Sequence, residues 1–448
     1  MQPNATSKAR AMTPTRTTIV AGVLSTLAYG YLAFNSQHYG DANLIQMMSV
    51  CSICMLLCAW VWISHHRANI EVSIPLLLSF AVIFRIIGLF SFPLLEDDIY
   101  RYLWDGKQTI ETGNPYLLAP SDFFDSDDIN DRFETILNGI NYPNVATVYG
   151  PFCQWIFAIS YLIAPGEIWP LQLIFALADI AIVVALFKLA RPNSILLYAW
   201  SPLLIKEFAF TAHPDVFGAM LLVFSLLAYR KGYSVLIGIL MACAAGVKIF
   251  PVLILPFLLG FKWRGWLAFL ITAIVISYPF GVLQAWLPEG LKVMGGNWYF
   301  NSPLYIGYIR LTPSGYSAEF LKFILLALLA IGAGLYLLKT LINFVRHQWP
   351  YQLPRGDLLF GAFFLCLPAL NPWYFVWMLP FAVIRPTVCA WVASFMVLMS
   401  YACGINLNSI VLRAYQHPNW VLLIEFGIIF IAFLLDILLK KKSKFPNI

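Results

Sequence analysis

Residues 74–106 read IPLLLSFAVIFRIIGLFSFPLLEDDIYRYLWDG, an apolar run that leads directly into a cluster of carboxylates. Residues 74–95 are long enough to cross the roughly 30 Å hydrocarbon core of a bilayer. Half of the 22 acidic residues of the chain lie between Glu96 and Glu134. Because charged groups are costly inside lipid, this concentration at the end of a span predicts a site outside the membrane.

The composition of the whole chain defines the fold class. The chain has 448 residues, of which 60% are hydrophobic and 11% charged, and its mean hydropathy is +0.76. Apolar runs of about 18 residues or more recur along it, as in polytopic membrane proteins. We therefore predict an all-α transmembrane helical bundle of about 12 to 14 spans with outer-face loops and interfacial helices. The predicted spans include 17–34, 43–64, 74–95, 167–190, 265–283, 318–338, 356–370, 373–384, 386–404 and 419–438.

Four regions follow from this pattern. We predict an N-terminal transmembrane hairpin at 1–70, a catalytic transmembrane module at 71–283 that carries the acidic outer loop 96–144, an outer loop at 284–317 and C-terminal transmembrane helices at 318–448. Two segments do not read as simple spans. The stretch 233–261 contains Gly246 and Pro251 and is predicted to break into two short helices at Lys248. The run 145–164 is predicted to be re-entrant or interfacial.

The positive-inside rule orients the bundle. Basic residues at both termini, such as Lys8 and Lys441, are expected inside, and the acidic loop then emerges outside. Three ionisable groups lie within apolar stretches: Arg85, Asp179 and Glu425. Each is either a functional intramembrane charge or a paired structural one, and we expect pairing for all three.

A short amphipathic helix is predicted directly after the apolar run. Asp98, Arg101 and Asp105 have helical spacing and share one face, and Gly106 is expected to end the helix. The acidic residues have two interpretations. They either form a reactive site or favour the positive end of a helix, with Arg101 paired to Asp97 or Asp98.

Five motifs carry a resemblance to a known family. They are Glu96-Asp97-Asp98, Tyr149-Gly150-Pro151, His213-Pro214-Asp215, Lys248 before Phe250-Pro251, and Asn371-Pro372-Trp373-Tyr374. In this order they resemble the GT-C superfamily of polytopic membrane glycosyltransferases, and in particular the bacterial polyprenol-phosphate-mannose-dependent mannosyltransferases. The resemblance extends over about residues 74 to 385. The chain differs from the common pattern in having two spans before the one that leads into the acidic loop.

The resemblance implies an inverting transfer of one hexose, with mannose as the sugar it suggests, from polyprenyl phosphate to a lipid-linked or cell-envelope glycan. The expected catalytic residues are Asp97, Asp98 and Glu96, with one Asp as base. The residues expected to bind the donor phosphate are Lys248, Arg413, Arg310 and His417. Those expected to bind the acceptor or the sugar are Arg101, Asp105, Tyr149, His213, Asp215, Asn297, Trp298, Asn371 and Trp373.

The expected partners are a polyprenyl-phosphate-linked sugar, a lipid or glycan acceptor and membrane lipids, with no nucleic acid. The chain is expected to lie in a bacterial inner membrane with its site on the periplasmic or outer side. It has no P-loop or dinucleotide glycine motif, which argues against a nucleotide-sugar donor. The cofactor is not specified: the acidic segment 122–128 is either a solvated loop or a divalent-cation site. A translocase of a lipid-linked sugar is the alternative function, and it requires a polar path through the membrane.

Overall fold

The chain is helical throughout the part that the computed structural model describes. That part comprises residues 12–38, 40, 43–126, 128–290, 298–312, 318–347 and 353–442, and it contains no β-sheet. An isolated bridge between Phe300 and Ala369 brings the segment after residue 298 beside the segment that precedes Asn371. The predicted all-α class is confirmed.

The helices of the N-terminal half precede and follow the acidic loop. They are α1 (Pro14–Phe34), α2 (Leu44–Ala68), α3 (Ile74–Gly88), α4 (Asp98–Glu111), α5 (Asp131–Asn138), α6 (Pro151–Ile163), α7 (Trp169–Leu186), α8 (Pro192–Ala199), α9 (Pro202–Ile205) and α10 (Asp215–Arg230). A π-helical turn, Lys206–Phe210, follows α9 directly.

The C-terminal half contains more short and interrupted helices. They are α11 (Ser234–Val247), α12 (Leu255–Leu259), α13 (Trp263–Ser277), α14 (Val282–Trp286), α15 (Pro303–Leu311), α16 (Ala318–His347), α17 (Gly356–Leu365), α18 (Leu379–Ile384), α19 (Val388–Met396) and α20 (Asn419–Lys442). A 3₁₀ helix, Pro372–Trp377, replaces the first part of the span predicted at 373–384.

Six helices in the described ranges are long and apolar enough to cross a membrane. They are Pro14–Phe34, Leu44–Ala68, Trp169–Leu186, Trp263–Phe280, Glu319–Asn343 and Asn419–Leu439. Residues Pro202–Phe210 and Asp215–Arg230 form a pair bent by 118°, which makes a seventh span if it is counted as one. Shorter apolar helices occur at five further places, among them Ile74–Gly88 and Pro151–Ile163. The chain is a multi-pass membrane protein, and the number of 12 to 14 crossings stays a prediction.

The helices pack closely where small residues meet. Helix α11 lies between α10 and α13. An added Cβ at Gly238 on α11 would lie 2.1 Å from the carbonyl oxygen of Gly265 on α13, so only glycine permits this approach. Helices α1 and α2 pack side by side, and α1 also packs on α3. The N-terminal pair of helices therefore rests on the helix that leads to the acidic loop.

The prediction that Gly106 ends the helix of the acidic loop was wrong. Helix α4 continues to Glu111, and Gly106 faces α6 at the middle of α4. An added Cβ at Gly106 would lie 2.5 Å from the carbonyl oxygen of Phe157. Ile99 and Tyr102 are also buried, so protein covers much of α4. The glycine serves close packing of two helices.

Two of the three intramembrane charges form an ion pair, as predicted. The Arg85 Nη2 atom lies 2.6 Å from the Asp179 Oδ2 atom, and both side chains are almost completely buried. Tyr198 also donates a hydrogen bond to Asp179 at 3.0 Å. The prediction of a charged partner for Glu425 was wrong, because its carboxyl group accepts a hydrogen bond from the side-chain amide of Asn301 at 2.8 Å.

The helix break predicted at Lys248 is confirmed. Helix α11 ends at Val247, and Lys248 has extended backbone angles. A 3₁₀ turn, Phe250–Leu253, and the short helix α12 follow. Pro251 lies in the first turn of that 3₁₀ segment, where it removes no helical hydrogen bond. The break places the Lys248 side chain at the end of a helix.

Candidate active site

A cavity of about 400 Å³ lies at the end of α3, where the acidic loop begins. Segments far apart in sequence contribute to it. Its lining includes Glu96, Asp97, Asp98, Arg101, Tyr149, Asp215, Lys248, Trp298, Phe300, Asn371, Trp373, Tyr374, Tyr401 and Tyr415. Members of all five motifs quoted from the sequence are among the residues that line it. A cavity of this size is within the usual range for small-molecule sites.

Three successive carboxylates form one part of the lining. Leu95 has a positive φ of 58°, which turns the chain sharply just before them. Asp97 occupies the N-cap position of α4, but its side chain makes no capping hydrogen bond. Asp97 and Asp98 do lie at the positive end of α4, as the second interpretation requires, so their place on the helix does not decide between the two interpretations. Both carboxylates also accept hydrogen bonds from side chains around the cavity.

Asp98 is held by two tyrosine hydroxyls. The hydroxyl of Tyr149 donates to Asp98 Oδ2 at 3.1 Å, and that of Tyr102 at 3.5 Å. Asp97 has a weaker contact, a 3.4 Å hydrogen bond from the side-chain amide of Asn141. Asp98 is therefore the more firmly positioned of the two carboxylates.

Burial changes the acidity of these groups. It raises the pKa of Asp97 from 3.8 to about 6, and the nearby charge of Asp98 adds to the effect. Burial also raises the pKa of Glu96 and that of Asp98. Carboxylates whose pKa lies closer to neutrality are stronger bases than ordinary ones, which suits proton abstraction.

Arg101 does not pair with the acidic residues, and the prediction of such a pair was wrong. Its guanidinium donates to the backbone carbonyl oxygens of Val145, Asn141 and Tyr142 at 2.9, 3.2 and 3.1 Å. A guanidinium presents several N–H donors in a fixed geometry and can bind three carbonyls at once. Arg101 thereby fixes the segment 141–145 at the rim of the cavity.

Asp105 holds the next part of the same segment. It accepts hydrogen bonds from Thr147 and, at 3.2 Å, from Gln154. Asp105 is 1% exposed and is not among the residues that line the cavity. Burial raises its pKa to about 6. Its contacts position the segment that carries Tyr149.

A second charged group in the lining is the pair of Lys248 and Asp215. The Lys248 ammonium lies 3.1 Å from each carboxylate oxygen of Asp215 and 3.9 Å from the centroid of the Tyr374 ring. The indole of Trp377 donates to Asp215 at 2.8 Å. Lys248 is thus fixed by an anion and an aromatic face, and its side chain remains 24% exposed.

His213 lies behind the lining of the cavity. Its ring stacks on Trp373 with a centroid distance of 3.7 Å and an interplanar angle of 16°. Its Nδ1 atom is 3.1 Å from the Tyr102 hydroxyl, and its Nε2 atom is 3.4 Å from Glu207 Oε2. Glu207 also contacts Lys206 at 3.2 Å. His213 is completely buried and is not positioned to touch a sugar in the cavity.

The remaining predicted binding residues fall into two groups. Trp298, Asn371 and Trp373 line the cavity. Two residues predicted to bind the donor phosphate do not line the cavity. Arg413 is exposed, and the buried ring of His417 donates to the Ser400 carbonyl at 2.8 Å.

Two further predictions fall on parts of the chain that are not described. Asn297 lies outside the described residues, and so does the side chain of Arg310, whose backbone belongs to α15.

Several lining residues were missed from the sequence. They are Asn141, Tyr374, Tyr401 and Tyr415. Tyr374 follows Asn371-Pro372-Trp373 directly, and that motif was the available signal for it. Tyr401 lies in an apolar run that resembles an ordinary span, so its sequence context carries no such signal. In the described residues, no cluster of three or more His, Cys, Asp or Glu side chains could hold a metal ion.

These features define a multi-pass helical membrane protein with a carboxylate-lined cavity. The model of the MptA_B family, described as alpha-(1->6)-mannopyranosyltransferase, N-terminal domain, matches residues 11–264. The match covers more than half of the chain, and the chain belongs to this family of GT-C-type mannosyltransferases. Comparison with curated proteins gave no match, and neither did comparison with solved structures.

Proposed function

We propose that this chain transfers a mannosyl group from a polyprenyl-phosphate donor to a hydroxyl group of a lipid-linked or cell-envelope glycan. The reaction takes place on the periplasmic or outer side of a bacterial inner membrane. The observation that carries the proposal is that three carboxylates and the Lys248–Asp215 pair line the same cavity. Membership of the mannosyltransferase family supports the sugar.

The carboxylates supply the base in this proposal. Asp97 or Asp98 removes the proton of the acceptor hydroxyl while the hydroxyl oxygen bonds to the anomeric carbon and the bond from that carbon to the phosphate oxygen breaks. Attack opposite the departing phosphate inverts the anomeric configuration. General-base catalysis of this kind contributes about 10²- to 10⁴-fold.

The two aspartates differ in their contacts, which bears on this role. Asp98 receives two tyrosine hydroxyls, whereas Asp97 has a weaker contact with Asn141. Asp98 is therefore the better oriented of the two, and Asp97 has the freer oxygen atoms. We assign the base to this pair and leave the choice between them to the variants below.

Lys248 stabilises the departing phosphate in this proposal. An ammonium has three N–H donors, and the two carboxylate oxygens of Asp215 occupy two of them. The third can reach an anion in the cavity. Positioned cations that meet charge developing in the transition state are among the largest contributions to enzymatic rate.

Aromatic and amide side chains complete the sugar site. Trp298 and Trp373 line the cavity and offer ring faces to the C–H side of a hexose, and Asn371 offers hydrogen bonds to its hydroxyls. The stack of Trp373 on His213 fixes the orientation of that ring. The linkage we propose is the α-(1→6) linkage of the family description. Inversion to an α-linked product requires a β-linked donor.

The test uses the purified full chain in detergent with radiolabelled polyprenyl-phosphate monosaccharides and a membrane lipid extract. We expect label from the mannose donor to move to a new product, and proton NMR of that product to show an α anomer. Asp97→Asn and Asp98→Asn should remove transfer or reduce it about 10²-fold or more. Asp131→Asn changes an exposed carboxylate of α5 and serves as the matched control.

Different results would contradict different parts of the proposal. Full activity of both single variants would exclude an aspartate base. Transfer from a nucleotide sugar in place of the lipid donor would exclude the donor. Movement of the lipid-linked sugar across proteoliposomes without any transfer would favour the translocase.

A further inference from the structure

A continuous chain of polar side chains leads from Asp98 into the protein interior. The hydroxyl of Tyr102 lies between two acceptors, Asp98 Oδ2 at 3.5 Å and His213 Nδ1 at 3.1 Å. A tyrosine hydroxyl has one proton and accepts through its oxygen, so it donates to one of these groups at a time. Tyr102 can therefore pass a proton from one neighbour to the other.

The far side of His213 faces an acid. Its Nε2 atom lies 3.4 Å from Glu207 Oε2, and the backbone N–H of His213 donates to the Glu207 carbonyl at 3.0 Å. With Tyr102 donating to Nδ1, the neutral ring carries its proton on Nε2, which lies near Glu207 but makes no hydrogen bond. A carboxylate at this distance stabilises the charged ring through its negative charge.

The structure holds this histidine rigidly. The His213 ring stacks on Trp373 at 3.7 Å. Ala212, just before it, has a positive φ of 61°, an unusual conformation for alanine that persists only where its surroundings enforce it. Glu207 is held in turn by the hydroxyl of Tyr401, which donates to it at 3.0 Å. These contacts hold the ring in place for proton transfer. The ring itself does not line the cavity.

We propose that His213, backed by Glu207, accepts through Tyr102 the proton that Asp98 removes from the sugar acceptor. His213 is thus a positioning residue for the base, since it does not touch the substrate. This inference rests on the proposed function, with Asp98 as the base. It replaces the sugar-binding role that the sequence motif suggested for His213.

The transfer reaction requires an outlet for one proton. The donor is a phosphodiester with one negative charge, and the product is a phosphate monoester, whose second pKa is near 6 and which carries about two charges at neutral pH. The acceptor proton is therefore released. It moves to Asp98, then from Asp98 to the Tyr102 oxygen while the Tyr102 proton moves to His213 Nδ1. After the product leaves, the proton returns along the same chain to water in the cavity.

The charges that face His213 bear on this step. Burial opposes the imidazolium most, and the charges of Lys206 and Lys248 oppose it further. Asp215 is paired with Lys248 and partly neutralises it. Lys206 is itself paired with Glu207 at 3.2 Å. The imidazolium is therefore a short-lived carrier that readily returns its proton, as a relay requires.

Double-mutant cycles on the full chain test the relay. His213→Asn keeps an acceptor near the Nδ1 position but cannot take a proton, and Tyr102→Phe keeps a ring that stacks on Phe157 at 4.8 Å. Each should lower kcat roughly tenfold to hundredfold, because each removes one step of the proton path, with KM changed by less than about threefold. The double variant should be no slower than the slower single variant, because both changes interrupt one chain.

Tyr149→Phe is the matched control for these cycles. Tyr149 also donates to Asp98, at 3.1 Å, and its hydroxyl interacts with that of Tyr102, but it lies outside the path from Asp98 to His213. Its effect should therefore multiply with that of His213→Asn. The relay would be overturned if the falls in kcat caused by Tyr102→Phe and His213→Asn multiply in the double variant. It would also be overturned if kcat is unchanged in His213→Asn. If His213→Asn does not fold, kcat in Tyr102→Phe must still fall by more than in Tyr149→Phe.

A measurement without substrate separates the relay from the proposed function. A hydrophobic carbodiimide reacts with protonated carboxyl groups, so the pH midpoint of Asp98 labelling, read by peptide mass spectrometry, follows its protonation. Tyr102→Phe should raise that midpoint by about one pH unit, and His213→Asn should add nothing to Tyr102→Phe. If the midpoints follow this pattern in a protein that transfers no sugar, the link from Asp98 to His213 stands and the proposed function is rejected. Independent midpoints would reject the relay.

Discussion

Replacing Lys248 by methionine separates two roles of this residue. Methionine retains much of the length and apolar volume of lysine but has no charge. In the native site the Lys248 ammonium lies 3.1 Å from both oxygens of Asp215, which is 3% exposed. Lys248→Met leaves that carboxylate with the 2.8 Å hydrogen bond from Trp377 and without a cation.

The expected losses of stability and of kcat follow from this geometry. Breaking a fully buried ion pair by removing one partner costs about 3–5 kcal/mol, and the 24% exposure of Lys248 reduces the expected loss to about 1–3 kcal/mol. Loss of a positioned donor to developing negative charge reduces kcat by about 10²- to 10³-fold. The double variant Lys248→Met with Asp215→Asn removes the unpaired charge. It should recover most of the stability and none of the rate.

The assay combines thermal unfolding in detergent with initial rates of sugar transfer. Asp215→Asn alone is the matched control, because it keeps the cation and loses only the carboxylate charge. A double variant that transfers sugar at the native rate would refute the phosphate role and leave Lys248 with a structural role alone. A double variant as unstable as Lys248→Met would refute the argument from the unpaired Asp215 charge.

Two further predictions concern pH and packing. Burial and the charge of Asp98 raise the pKa of Asp97 from 3.8 to about 6, and burial raises the pKa of Asp98 as well. Either aspartate must be ionised to act as the base, so kcat/KM should fall as the pH drops, through about 6 where Asp97 is the base. The folded state also binds this proton more tightly than the unfolded chain, so the Asp97 contribution to stability decreases as the pH rises from about 4 to about 6; a flat rate profile would contradict an aspartate base. Gly106→Ala should destabilise the protein by about 1–3 kcal/mol, because its Cβ would lie 2.5 Å from the Phe157 carbonyl oxygen. Gly30→Ala has no atom within 4 Å of the added Cβ and is the control, and equal thermal stability of the two variants would contradict the packing argument.

Local features of the sequence predicted the helices and their breaks. The glycine and proline on either side of Lys248 identified the helix break there, because both residues act on the backbone within a few positions. The pairing of Arg85 with Asp179 was also predictable, since two opposite charges in apolar spans have few other ways to be stabilised. These features depend on residue type and on neighbours in the chain.

Contacts between distant segments could not be predicted in the same way. Arg101 was expected to bind a nearby carboxylate, but it binds backbone carbonyls 40 or more residues away. Gly106 has the same local sequence whether it ends a helix or allows another helix to approach. The hydrogen bond from Tyr401 to Glu207 joins residues 194 positions apart. Such contacts depend on how whole helices pack, for which a single sequence offers no direct signal.

The candidate site requires both halves of the chain, whereas the family match ends at residue 264. The carboxylates and Lys248 lie inside the matched region, and Trp373, Tyr374 and Tyr401 of the same cavity lie beyond it. The matched part thus supplies the residues that we propose as the base and as the phosphate-binding cation, and the remainder supplies several aromatic residues of the lining. Tyr374 lies under the Lys248 ammonium, and Tyr401 holds Glu207 behind His213. Residues beyond the match therefore complete the cavity and also support groups within the match, so the two parts of the chain form one functional unit.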